Sequence, residues 1–219
     1  GGGGSSSVPN PVTSPPPAGA TVDNLSFTNT DFTEVAISNS FAVIVQYGDR
    51  FDIEMEVDTQ YSHLVTVTQE GVRMKIQYDP NFKGDIRAQV AKGIVTLPSL
   101  QVLEVDGSAI VDVAGFTQSF LQIRQNGSSH VEGNNSRFDF VDASLNGSAH
   151  LSLLGFSPVP AINIEAHGSG QAMLSLMDGG TLTGTASGNA NVSFYGRNLI
   201  VQSNALQSAT FTWMGPVVP

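Results

Sequence analysis

His130 and His150 sit in two similar strings, "NGSSHVEG" (126–133) and "NGSAHLSL" (146–153), twenty residues apart. Neighbouring imidazoles can ligate a metal, although a stable site takes three or four ligands. Asp112 and Glu132 share the same spacing. A carboxylate pair about 5 Å apart suits a retaining glycosidase, and a wider pair suits an inverting one. Asp106, Asn126 and Asn146 repeat the interval again. Stacked amides can bond to one another, or to the hydroxyls of a sugar. All three sets pose one question: are residues twenty apart in the chain adjacent in space?

Gly107, Gly127, Gly147, Gly168 and Gly188 recur at intervals of 20, 20, 21 and 20. A fixed period in the twenties is the mark of a solenoid, in which each repeat is one coil stacked on the last. Aligned on its glycine, every repeat alternates. Four positions after it stand Val111, Val131, Leu151, Ala172 and Val192; four before it stand Leu103, Ile123, Ala143, Ile164 and Gly184. Odd positions are polar, as in Asp112, Glu132 and Ser152. Period two with one wet face means half-buried strands. The predicted fold is therefore all-β, a parallel β-helix of five to six coils over 99–219. Its last coil, near 199–213, should be a degenerate cap. On this parity the glycine faces the core and turns a corner where a Cβ would collide.

Stacked coils bring His130 and His150 to about 4.8 Å, the inter-strand spacing. Gln171 and Asn191 continue that row and are poor ligands, so a solvated pair is expected rather than a metal site. Ser152, Met173 and Ser193 continue the Asp112–Glu132 row without aromatic sugar platforms or basic partners, which argues against catalysis. His167 and Ser187 extend the Asp106–Asn126–Asn146 row. That ladder reads first as coil-to-coil support and second as a polar groove for sugar hydroxyls. Glu104 and Arg124 should form a surface ion pair worth at most about 1 kcal/mol. No catalytic residue, metal site or cofactor is assigned.

Upstream, residues 21–98 read as a strand-rich section with hairpin-like turns. In "RFDIEMEVD" (50–58) acidic residues alternate with apolar ones, and in "GVRMKIQY" (71–78) basic residues do. Those acidic and basic faces could pair across a sheet. Residues 1–20, "GGGGSSSVPNPVTSPPPAGA", form a Gly/Ser/Pro-rich segment that reads as a stalk between an anchor and a domain. A native stalk is preferred over a vector-derived linker, because the Val-Pro-Asn-Pro continuation looks unengineered.

Nine basic residues against nineteen acidic ones give a net charge of −10, which repels nucleic acid and anionic lipid. The chain has no cysteine, so disulfides and thiolate chemistry are excluded. No apolar run is long enough to span a bilayer, and the chain reads as either cytosolic or a mature secreted form. The stalk favours the second.

"FTEVAISNSFAVIVQYGD" (32–49) and "GIVTLPSLQVLEVDGSA" (93–109), followed by recurring Gly-Ser coils, resemble the bacterial auto-transporter adhesin head (GIN) domain family. The resemblance covers roughly residues 25–215, and Leu97-Pro98-x-Leu100 is its most specific piece. It implies a secreted or lipid-anchored envelope protein with β-helix character, and it carries over no catalytic residues. The expected function is a non-enzymatic cell-envelope binding or adhesion module, an outer-membrane lipoprotein or secreted protein. Its partner would be a glycan or a surface protein, met along Asp106, Asn126, Asn146, His130, His150, Asp112 and Glu132. Membrane contact would come only through an N-terminal lipid anchor. The rivals are a polysaccharide-active enzyme and a purely structural envelope protein.

Overall fold

The computed structural model describes residues 21–219, so the stalk reading lies outside the described residues. The chain begins with β1 (Val22–Phe27), β2 (Glu34–Ile37), β3 (Ala42–Tyr47) and β4 (Asp52–Asp58). A 3-10 turn (Ser62–Leu64) precedes β5 (Val65–Glu70), β6 (Arg73–Tyr78) and β7 (Ala91–Leu97). The repeats supply β8 (Val102–Val105), β9 (Ile110–Ala114), β10 (Thr117–Gln125), β11 (His130–Asn134), β12 (Arg137–Leu145) and β13 (His150–Gly155). They end with β14 (Val159–Gly168), β15 (Gln171–Gly188), β16 (Asn191–Tyr195), β17 (Ile200–Ala205) and β18 (Thr210–Gly215).

These strands form two sheets around one core. The first sheet runs β1, β4, β7, β3, β9, β11, β13, the first part of β15, β16 and β18. The second runs β5, β6, β2, β8, β10, β12, β14, the second part of β15, and β17. From β8 onward every pairing is parallel, because each strand meets its counterpart one coil later. The architecture is an all-β parallel β-helix with a strand-rich N-terminal section. The latter adds antiparallel partners: β1 and β4 on one sheet, and the β5–β6 hairpin on the other.

Alternation buries the inward rows. Val111, Val131, Leu151, Ala172 and Val192 are at most 2% exposed, as are Leu103, Ile123, Ala143 and Ile164. Each buried Val, Leu or Ile among them contributes roughly 1.5–3 kcal/mol of transfer free energy.

The corner glycines depart from the expected parity. They lie at the surface, while the residues two before and two after, such as Leu145 and Ala149, are buried. A tight left-handed turn interrupts the alternation for three residues without shifting it: φ is +65° at Gly107, +68° at Gly127 and +76° at Gly147. A Cβ on Gly127 would lie 2.7 Å from the carbonyl oxygen of Gly107, and one on Gly147 would lie 2.9 Å from that of Gly127. The glycine is needed against the coil below, not against the core. The corner column also has ends that are not glycine. Asn39 (φ 61°) precedes Gly107, whose added Cβ would meet the Asn39 carbonyl, and Gln207 (φ 60°) follows Gly188. β2 and β3 thus form a coil with its corner at Asn39, separated in the chain from its successor by the excursion through β4–β7.

At the opposite corner a column of rings fills the core. Phe138 lies between Phe116 and Phe156, with centroids 6.4 and 5.0 Å away.

Two electrostatic expectations are overturned. β4 and β6 lie in different sheets, so their acidic and basic faces do not meet. Glu56 pairs instead with Lys92 of β7 at 3.7 Å. Glu104 and Arg124 are in register, yet Glu104 pairs with Arg73 at 2.9 Å while Arg124 donates to Gln122. Strand β2 offers only the Ala36 methyl opposite Glu104, so the Arg73 guanidinium reaches across it.

Candidate functional site

The corner turns between the two sheets line up the first outward row. Asn126 Nδ2 donates to Asp106 Oδ1 at 2.8 Å, and Asn146 Nδ2 donates to Asn126 Oδ1 at 3.4 Å. Further along, His167 Nδ1 and Ser187 Oγ are 2.5 Å apart, and His167 Nε2 lies 3.4 Å from Glu165. The residue beyond each glycine, serine in the first four coils and Asn189 in the fifth, forms a parallel row, tied by its N–H to the carbonyl one coil below, as in Ser128 to Gly107 and Ser148 to Gly127. Ser148 and Ser169 also share a hydrogen bond at 3.0 Å. Between the rows lies a shallow groove of about 450 Å³, lined by Gly147, Ser148, Gly168, Ser169, Gly188, Asn189, Gln207 and Ser208. Gly188 donates its N–H to Gln207 Oε1 at 2.5 Å, so an amide oxygen of the chain itself docks on this floor.

The outer face of the first sheet holds the other two sets. His130 and His150 stack with centroids 4.6 Å apart and planes 4° from parallel. Burial, and next the His150 imidazole, lower the pKa of His130, which disfavours a charge on that ring. Among the described residues no group of three or more His, Cys, Asp and Glu is arranged to hold a metal.

Asp112 and Glu132 are register neighbours, with Ile44 on the other side of Asp112. Burial raises the Asp112 carboxyl from 3.8 to about 6, with Glu132 as the smaller cause, and Asp112 Oδ1 is buried without a hydrogen-bond partner. A carboxyl raised by burial beside a second carboxylate is the kind of pair from which a general acid can be made. Chemistry on a sugar also needs a cleft, and this pair stands on a sheet face between Ile44 and Ser152.

The folded protein holds the Asp112 proton more tightly than the unfolded chain does, so ionised Asp112 opposes folding. Its penalty is absent below the ordinary value of 3.8 and complete above about 6. Two pH units correspond to at most ~2.7 kcal/mol, which solvent reduces to about 1 for a half-covered group. Asp112→Asn is therefore expected to be about 1 kcal/mol more stable than the parent well above pH 6, and equal to it near pH 4. Urea midpoints at the two pH values measure this. A gain independent of pH would assign the effect to packing.

Two further features leave no periodic signal in the sequence. Gln125, fully buried, takes the inward position that Val105 and Leu145 fill in adjacent coils, and it donates to His150 O at 2.9 Å. Arg137 and Arg197, the only basic residues after Arg124, line one cleft of about 750 Å³ with Leu154, Phe156, Met177 and Val217. Sixty residues separate them, and only the coil brings them to the same flank. A third cleft, of about 510 Å³, lies beside the Asn39 and Gly107 corners and includes Tyr78 and Phe82. Neither Asp112 nor Glu132 lines any of the three.

Residues 31–215 match the family model described as "Putative auto-transporter adhesin, head GIN domain". The chain belongs to this family. Solved structures agree on the fold. A "putative adhesin" from Bacteroides fragilis superposes with a TM-score of 0.68 at 11% identity, over 89% of this chain and 97% of that one. A "putative lipid binding protein" from Parabacteroides distasonis gives 0.62 at 15% identity, over 88% and 96%. A "putative adhesin" from Parabacteroides merdae gives 0.54 at 16% identity, over the same shares. No curated protein is similar in sequence to this chain. The family and two of these three structures are described as adhesins and the third as a lipid binding protein, while identities this low carry the fold alone.

Proposed function

We propose that the chain is a non-enzymatic binding or adhesion module of the bacterial cell envelope, engaging an extended polyhydroxylated ligand along the glycine corner. The observation that carries this reading is the groove of about 450 Å³, whose floor is backbone and whose walls are Ser, Asn and Gln. Its hydrogen-bonding groups repeat at the coil spacing of about 4.8 Å, and none is charged. Such a surface matches the repeated hydroxyls of a glycan better than a nucleic acid or anionic lipid, which a net charge of −10 repels. The Asp106–Asn126–Asn146 row continues the polar surface, while His130, His150, Asp112 and Glu132 form an adjoining face. Envelope attachment through residues 1–20, as a lipid-anchored or secreted form, fits their Gly/Ser/Pro composition and the family's adhesin description.

The test is an array of glycans and host-matrix proteins probed with the full chain. The expected result is retention of a glycan class, lost at least tenfold in Ser169→Tyr, which fills the groove with no change to the core. Retention unaffected by that substitution, or none at all, overturns the reading. Release of shortened glycans would instead favour a polysaccharide-active enzyme at Asp112 and Glu132. A second reading rests on the cleft that Arg137 and Arg197 share, whose apolar lining suits an amphipathic anion. Fatty-acid probes on the same array, with Arg197→Glu as the discriminating variant, separate it from the first.

A further inference from the structure

The last coil leaves the solenoid open. Among the described residues no strand lies beyond β17 in the second sheet or β18 in the first, so each presents an edge of backbone groups that no described strand pairs. The inward rows also run out there. Phe194 is buried, whereas Trp213, its register neighbour one coil on, is 57% exposed. Leu182 is buried, whereas its neighbour Val201 is 40% exposed. Ile200 and Leu206 add to the same bare end.

Charge sets this end apart. Residues 179–219 contain no acidic residue and only one basic one, Arg197, in a chain of net charge −10. β17 and β18 carry no Lys, Glu or Pro, the residues that blunt exposed edges elsewhere. The opposite end is built differently. Its edge strand β1 carries Asp23, which accepts hydrogen bonds from Ser62 and Thr59, and β5 ends in Glu70 within an antiparallel hairpin. The C-terminal tail leaves the end uncovered: Pro216, Val217 and Val218 line the cleft on the flank.

We propose that the bare coil is a self-association surface, where two copies meet end to end through β17 and β18 about a two-fold axis. An axis perpendicular to both sheets sets β17 antiparallel to its copy and β18 antiparallel to its copy, so both sheets continue across the contact. The arrangement is isologous and closes at two copies. A head-to-tail contact would instead press this end on the charged, antiparallel one and propagate into a fibre. Two strongly acidic chains meet here because this is the end where neither brings negative charge.

The chain's one tryptophan lies in the proposed contact, so it reports on it. Sedimentation and tryptophan emission would be measured together on the full chain from ~1 µM to ~1 mM, the span for contacts of moderate affinity. The expected result is a shift from 23.0 kDa to twice that mass, with Trp213 emission moving to the blue and its iodide quenching falling over the same range. Val201→Lys, at an already exposed position, should weaken dimerisation at least tenfold while far-UV circular dichroism stays unchanged. An Ile200→Lys variant provides the same reading if the first fails to fold. A chain monomeric throughout, or a dimer that Lys at 200 and 201 leaves intact, overturns the proposal. So does shielded Trp213 emission at monomer mass, which would mean that a segment of the same chain covers the end.

Discussion

Gly147→Ala is expected to cost about 3 kcal/mol of stability, although the substituted position is at the surface. Two costs add. A left-handed φ of +76° carries roughly 1–2 kcal/mol for any residue with a Cβ. The new methyl would also lie 2.9 Å from the Gly127 carbonyl oxygen and 3.2 Å from its nitrogen, which only a shift of the stacked coils relieves. Gly71→Ala separates these contributions. Its φ is +60°, but nothing lies within 4 Å of the added Cβ, so only the conformational cost of about 1 kcal/mol applies. Urea midpoints of the two variants measure the difference. Equal losses would mean that coil stacking does not select the glycine.

Phe138→Ala should cost more, about 3–5 kcal/mol, the range for emptying a buried aromatic site. Phe138 is fully buried between Phe116 and Phe156. The rings on either side belong to coils tied by hydrogen bonds such as Arg137 N–H to Phe116 O, which limits collapse into the void. Phe138→Leu keeps much of the volume and should cost less than half as much. Thermal or urea unfolding of the pair decides it. A loss in Phe138→Ala below about 1.5 kcal/mol would show that the ring column is not a structural support.

Much of the β-helix was legible because its period is local. Asn-Gly-Ser strings at twenty-residue intervals carry their own register, and the neighbours His130–His150 and Asp112–Glu132 follow from it by counting. The ring column was not legible in this way. Phe116 and Phe156 stand nine residues after their glycines but Phe138 eleven, so no common offset exposes them. Phe156 fits because Gly133 leaves room: a Cβ there would lie 2.4 Å from its ring. The facing of the corner glycine was likewise hidden. Alternation carried across the turn places it inward, whereas the positive φ turns it out and the alternation resumes unshifted two residues later.

The candidate site divides along the same line. The sequence by itself determined which side chains stand in one row, because equal offsets in a parallel stack become neighbours about 4.8 Å apart. Only the tertiary structure decided what lies beside each row. Ile44 belongs to a coil whose successor begins some fifty residues later, and it stands beside Asp112, whose carboxyl burial raises. Ala36 lets Arg73 take Glu104 away from Arg124, and the flank brings Arg137 to Arg197. Periodicity reports distances along the stack. Desolvation, ion pairing and exposed ends depend on which coils are adjacent and on where the stack stops, and the chain's excursion through β4–β7 separates that order from the order of the sequence.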